Sequence, residues 1–130
     1  MKIELLPIRQ RGAACCELPL QVDPGWAQDT AEILKVLADP TRLSMVAALW
    51  AAEAPVCICD FTAAYDLTQG TISHHMGKLK AAGLVESSKQ GIWIYYRLRE
   101  QLPALTTELL ATLVEPLAEA AMAGSTGRPS

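Results

Sequence analysis

Asp66-Leu-Thr-Gln-Gly-Thr-Ile-Ser-His-His-Met-Gly-Lys-Leu-Lys-Ala-Ala-Gly-Leu-Val85 is the stretch on which the reading of this chain turns. Wound as an α-helix, Ile72, Met76 and Leu79 stack at i, i+4 and i+7 and form one apolar stripe. The opposite side carries Gly70, Thr71, His74, Gly77 and Lys78. A face with two glycines and no bulky apolar residue lets another polar surface come close. Thr68 suits the N-cap and Gly83 the left-handed residue that ends a helix, so the spacing predicts a helix over 68–82.

Taken alone, the pattern also fits an ordinary amphipathic surface helix; its neighbours decide. Asp60-Phe-Thr-Ala-Ala-Tyr65 is a short helical segment just upstream, and Asp66-Leu67 makes a tight turn into the longer helix. That is the spacing of a helix-turn-helix. Downstream, Leu84–Lys89 and Ile92–Leu98 flank Gln90-Gly91. In the second run Ile92, Ile94, Tyr96 and Leu98 alternate with Trp93, Tyr95 and Arg97, the mark of a half-buried strand. A helix-turn-helix followed by a hairpin is a winged helix. The expected fold class is therefore mainly α with a β-hairpin wing.

Around this unit the chain divides into three parts. Residues 1–25, with Pro7, Gly12, Pro19, Pro24 and Gly25, read as a flexible arm carrying the cysteine pair Cys15-Cys16. Residues 26–122 form the winged-helix and dimerisation domain, and 123–130 a disordered tail. A first helix is expected over Trp26–Leu37, with Ile33, Leu34 and Leu37 inward. A second starts with Asp39 as N-cap and Pro40 at its first position, carries a Leu43, Val46, Ala47, Trp50 stripe, and is broken at Ala54-Pro55. A last helix covers Leu102 to about Ala121, where Pro116 should kink or end it. Its leucines, Leu105, Leu109, Leu110, Leu113 and Leu117, cover more than one face. An isolated monomer would expose them, which implies a symmetric dimer through the first and last helices.

Composition narrows the function. The chain has 130 residues and a formal net charge of −3, which looks wrong for a nucleic-acid binder. Divided along the sequence it is not. Residues 68–99 hold Lys78, Lys80, Lys89, Arg97 and Arg99 against Glu86, a local +4 on a body of −7. A basic head on an acidic body keeps local phosphate attraction while limiting nonspecific adhesion. No segment approaches the ~20 apolar residues that span a bilayer. The N-terminus is too interrupted by Pro7 and charges for a secretory signal, so a cytoplasmic protein with reduced thiols is expected.

The four cysteines suggest a ligand. Cys57 and Cys59 stand at i, i+2, which point apart on a helix and to one side of an extended segment. Three or four thiolates drawn from Cys15, Cys16, Cys57 and Cys59 would form a soft site for a thiophilic ion. Ten residues from Cys16 to Trp26 reach up to ~33 Å, enough to fold back or to cross a dimer. The plainer alternative makes Cys57 and Cys59 small buried hydrophobes, but two cysteines in a polar arm have no core to fill. His74 points outward with Lys78, whereas His75 falls near the apolar stripe as a packed imidazole. Neither has a ligand-spaced partner. A thiol redox sensor would use the same cysteines. An enzyme is not expected, because Cys-x-Cys lacks the redox-pair spacing and no nucleophile–base constellation is visible.

Asp39-Pro-Thr-Arg-Leu43, Cys57-Ile-Cys-Asp60, Gln69-Gly-Thr-Ile-Ser-His-His75 and Gly91-Ile-Trp-Ile-Tyr-Tyr-Arg97 together resemble the arsenic-resistance repressor family of metalloregulators, over about residues 26–120. The resemblance implies a homodimer that holds palindromic double-stranded operator DNA when free and releases it on binding a toxic ion. Carried over, Gln69, Thr71, Ser73 and His74 match the reading-helix positions and Lys89 with Gln90 the wing tip; Gly70 and Lys78, on the same helix face, complete the expected DNA-binding set. Cys57 and Cys59 match the family's Cys-x-Cys, but Thr62 stands where a third cysteine would follow. Cys15 or Cys16 would then supply it. Three thiolates suit As(III) or Sb(III) as inducer; all four would suit Cd(II) or Pb(II).

Overall fold

A computed structural model describes Leu18 and residues 20–125 of the chain. The elements run α1 (Pro24–Leu37), α2 (Pro40–Ala51), β1 (Val56–Cys57), α3 (Ile58–Tyr65), α4 (Gln69–Ala81), β2 (Val85–Gln90), β3 (Trp93–Leu98) and α5 (Ala104–Ser125). The antiparallel sheet has the order β1-β3-β2. This is the winged helix-turn-helix expected from the sequence.

Local chemistry sets the helix starts. Asp39 Oδ2 accepts from Arg42 N at 3.0 Å and Pro40 opens α2, both as expected. The same device starts α1 earlier than expected. Asp23 accepts from Trp26 N and Pro24 is its first residue, so the expected boundary at 25 falls inside the helix. Thr68 caps α4 by accepting from Thr71 N. Between α3 and α4, Asp66 turns the chain in the left-handed region, at φ 52°. Gly83, at φ 79°, makes the corresponding bend into β2.

The core joins Met45, Val46 and Leu49 of α2, Ile58 and Phe61 of α3, and the Ile72, Met76, Leu79 stripe of α4. Tyr96 closes it from β3 and Leu110 from α5. Two expected stripes are corrected in part. On α1, Leu37 is buried and Ile33 packs on the core as expected, but Val36 joins them and Leu34 is 48% exposed. On α2, Val46 is buried and Trp50 packs on the core as expected, while Met45 and Leu49 complete the buried line and Leu43 is exposed. Helix α2 is apolar on several sides, so composition could not choose the face that meets α4.

Pro116 lies within α5 and does not end it. That helix continues to Ser125, so residues 123–125 are helical, not tail; 126–130 lie outside the described residues. The wing's two-residue turn is Gly91-Ile92, because Gln90 pairs with Trp93. Gly91 takes φ 64°, matching a hairpin turn with glycine first. No helix among the described residues is long and apolar enough to cross a membrane.

Candidate nucleic-acid interface and thiol site

Helix α4 carries the side chains expected to face DNA. Gln69, Gly70, Thr71, Ser73, His74 and Lys78 are all exposed, and the helix's other side is sealed into the core. The two glycines are informative because nothing among the described residues requires them. A Cβ on Gly77 would meet no atom within 4 Å, and one on Gly70 only Thr68 Oγ1 at 4.0 Å. A smooth face kept at the cost of helix propensity fits close approach by a partner surface.

The wing is tied to this helix. Lys80 Nζ donates to Ser87 Oγ at 3.0 Å, joining α4 to β2. At the tip, Lys89 and Gln90 are exposed beside Ile92, which is 78% exposed. Arg97, counted in the charge of the basic head, is engaged: its guanidinium is held by Glu86 and Glu100. Lys78 and Lys89, the expected phosphate partners, are both exposed.

His75 is satisfied internally, as expected. Arg42 Nη1 stands 3.4 Å from His75 Nδ1, while Arg42 Nε donates to the Val36 carbonyl at 2.7 Å. One guanidinium thus pins the end of α1 and the middle of α4 to α2. Sequence reasoning missed this role for Arg42.

The thiol pair sits at the entrance to the helix-turn-helix. Cys57 is extended, at φ −69° and ψ 144°, and caps α3; Cys59 N donates to Cys57 Sγ at 3.4 Å. Cys57 is therefore extended, but Cys59 is already the second residue of α3, so the expected condition, a pair on a segment not yet helical, is met by Cys57 alone. Cys57 is buried and Cys59 exposed. The neighbouring Cys57 thiol, with some desolvation, raises the Cys59 pKa above its ordinary value. Cys57 also lies in the sheet, since β1 pairs with the wing strand as Val56↔Tyr96 and Cys57↔Tyr95. Nothing in the sequence signals this strand, which has two residues.

Among the described residues no three His, Cys, Asp or Glu side chains gather closely enough to hold a metal ion. Cys15 and Cys16 lie outside the described residues. Cys57 and Cys59 alone supply two soft donors.

A family model described as "Bacterial regulatory protein, arsR family" matches residues 39–87, from the cap of α2 into the wing. The arsenical resistance operon repressor of Escherichia coli is 38% identical over 79 residues, covering 61% of this chain and 67% of that protein. The chain belongs to the arsR family of bacterial regulatory proteins. An arsenic resistance transcriptional regulator of Pseudomonas putida is 37% identical over 83 residues, 64% of each chain, so the match spans just under two thirds of that relative. Among solved structures, the transcriptional repressor BigR of Xylella fastidiosa superposes with TM-score 0.56 at 30% identity, over 68% of this chain and 86% of that one. Members of the arsR family are DNA-binding transcriptional regulators, and this chain carries their winged helix-turn-helix.

Proposed function

We propose that this protein is a homodimeric, cytoplasmic repressor that holds operator DNA when ion-free and releases it when As(III) or Sb(III) binds its thiolates. The observation that carries this reading is the neighbouring pair of thiols at the junction of the wing sheet and α3, Cys57 ending β1 and Cys59 in the first turn of the helix. A trigonal ion needs a third thiolate. The chain has four cysteines, so the third comes from Cys15 or Cys16. An ion gathered there ties the arm to the doorway of the reading unit and changes the spacing of the two heads.

Two copies of α4 then lie in successive major grooves of a palindromic site, about 34 Å apart. Gln69, Thr71, Ser73 and His74 read base edges, Gly70 permits close approach, and Lys78, Lys89 and Gln90 grip the backbone. Dimerisation is supported by apolar residues left exposed on α1 (Trp26, Leu34) and α5 (Leu105, Leu113, Leu117). Cadmium or lead, engaging all four thiols, is the second reading, and thiol oxidation a third. The chemistry of the donors favours arsenite, because arsenic is satisfied by three sulfurs.

Titrating a fluorescent operator complex with arsenite, antimonite, Cd(II), Pb(II) and Zn(II) tests the proposal. Arsenite is expected to release the DNA, and Cys57→Ser, Cys59→Ser and one arm cysteine variant to blunt the response. Indifference of Cys15→Ser and Cys16→Ser alike would remove the arm from the site. Release by peroxide alone would favour the redox reading.

A further inference from the structure

Beside the reading helix lies a cleft of about 270 Å³ lined by Glu32 and Lys35 of α1, Arg42 of α2, and Lys78, Ala81 and the following Ala82 at the end of α4. Three cations from three helices meet there against one carboxylate. Arg42 is held by its bonds to the Val36 carbonyl and His75, and its guanidinium has further donors to offer. Lys35 and Lys78 are exposed at the mouth. Lys78 follows His74 by four residues, on the same side of α4, so the cleft opens beside the groove-facing surface.

We infer that this cleft takes a phosphodiester of the operator backbone, held by Lys35 and Arg42 together with Lys78, so that α1 is part of the DNA-binding surface. The inference rests on the DNA-binding reading above and extends it to a helix for which that reading supplies only dimer contacts. Arg42 is pre-oriented and offers fork geometry suited to a phosphate; Lys35 adds a mobile point charge. Glu32 opposes the anion and sets a limit on its affinity. The ligand class is a phosphate monoanion, and a free phosphate is the competing source.

The test measures binding of the full chain to a fluorescein-labelled duplex of about 30 base pairs, in KCl from about 50 to 200 mM. Phosphate binding is sequence-independent, so an arbitrary duplex serves. Lys35→Gln should weaken duplex binding and flatten the log–log salt slope by up to about 0.9 per cleft, the contribution of one phosphate contact. Glu32→Gln should tighten binding at every salt concentration. A parent that holds no duplex overturns the DNA-binding reading and this inference with it. A parent that binds, with a slope indifferent to Lys35→Gln, overturns this inference alone, and a Tm loss in that variant would then show that Lys35 only balances the end of α1. Lys35-dependent binding of inorganic phosphate with an unchanged duplex slope would assign the cleft to a free anion and overturn it too.

Discussion

Cys57 lies directly across from Tyr95 in the pairing of β1 with β3, so the buried member of the thiol pair shares a strand pair with the wing. The same residue caps α3, the first helix of the helix-turn-helix. A displacement of its sulfur is therefore felt by two elements that frame the reading helix. In a loop, the pair would have no such leverage.

Cys57→Ser should leave the fold intact at a cost of about 1–2 kcal/mol for placing a hydroxyl where a buried thiol sat. DNA binding should survive while release by arsenite is lost. Urea unfolding together with the operator titration checks both halves.

The raised pKa of Cys59 separates the candidate inducers. Its thiol is protonated at neutral pH, so a divalent cation must expel a proton to bind there. Cd(II) affinity should climb as pH rises, with proton release measurable by calorimetry in two buffers of different ionisation enthalpy. Arsenous acid instead brings three hydroxides that leave as water with the thiol protons, so its binding should release no net protons. A proton count of zero for Cd(II) would overturn this account.

Asp39 gives the fold an acid-sensitive point. Its pKa is lowered, chiefly by the hydrogen bond from Arg42 N. A carboxylate depressed in the folded state adds stability that is present above its unfolded value of about 3.8 and lost as pH falls through the lower folded value. Thermal melts should therefore show α2 weakening in that acidic range. Asp39→Asn, which keeps an acceptor but cannot titrate, should flatten that part of the pH profile.

Gly77→Ala should raise stability by about 0.5–1 kcal/mol, because a mid-helix glycine is replaced and the new methyl meets no atom within 4 Å. DNA affinity should fall in the same variant, since the methyl projects from the groove-facing side. A stabilised protein with unchanged DNA affinity would remove Gly77 from the contact surface.

Ile72→Ala, at a side chain with 0% exposure, should cost about 2–5 kcal/mol in denaturant unfolding. The contrast with Gly77, five residues along the same helix, expresses the two faces of α4 as opposite signs of stability change.

The reading helix, its caps and its buried stripe were legible in the sequence because they are local. Thr68, Gly83 and the Ile72–Met76–Leu79 spacing act over one or two turns, and no distant contact competes with them. The start of α1 was also written locally, in Asp23-Pro24, but Gly25 and the run of prolines before it obscured the signal. The buried face of α2 was only partly legible, because apolar side chains surround that helix and only packing against α4 and α5 selects among them.

By itself, the sequence determined a winged helix-turn-helix, a basic reading helix and a soft thiol pair at its entrance. Only the tertiary structure decided that Arg42 pins α1 and α4, that Arg97 is engaged by carboxylates, that Cys57 joins the wing sheet, and that Lys35 shares a cleft with Arg42 and Lys78. The division has one physical cause. Periodicity and caps are set by neighbours a few residues away, whereas long side chains find partners across tens of residues, and those meetings exist only once the helices have packed.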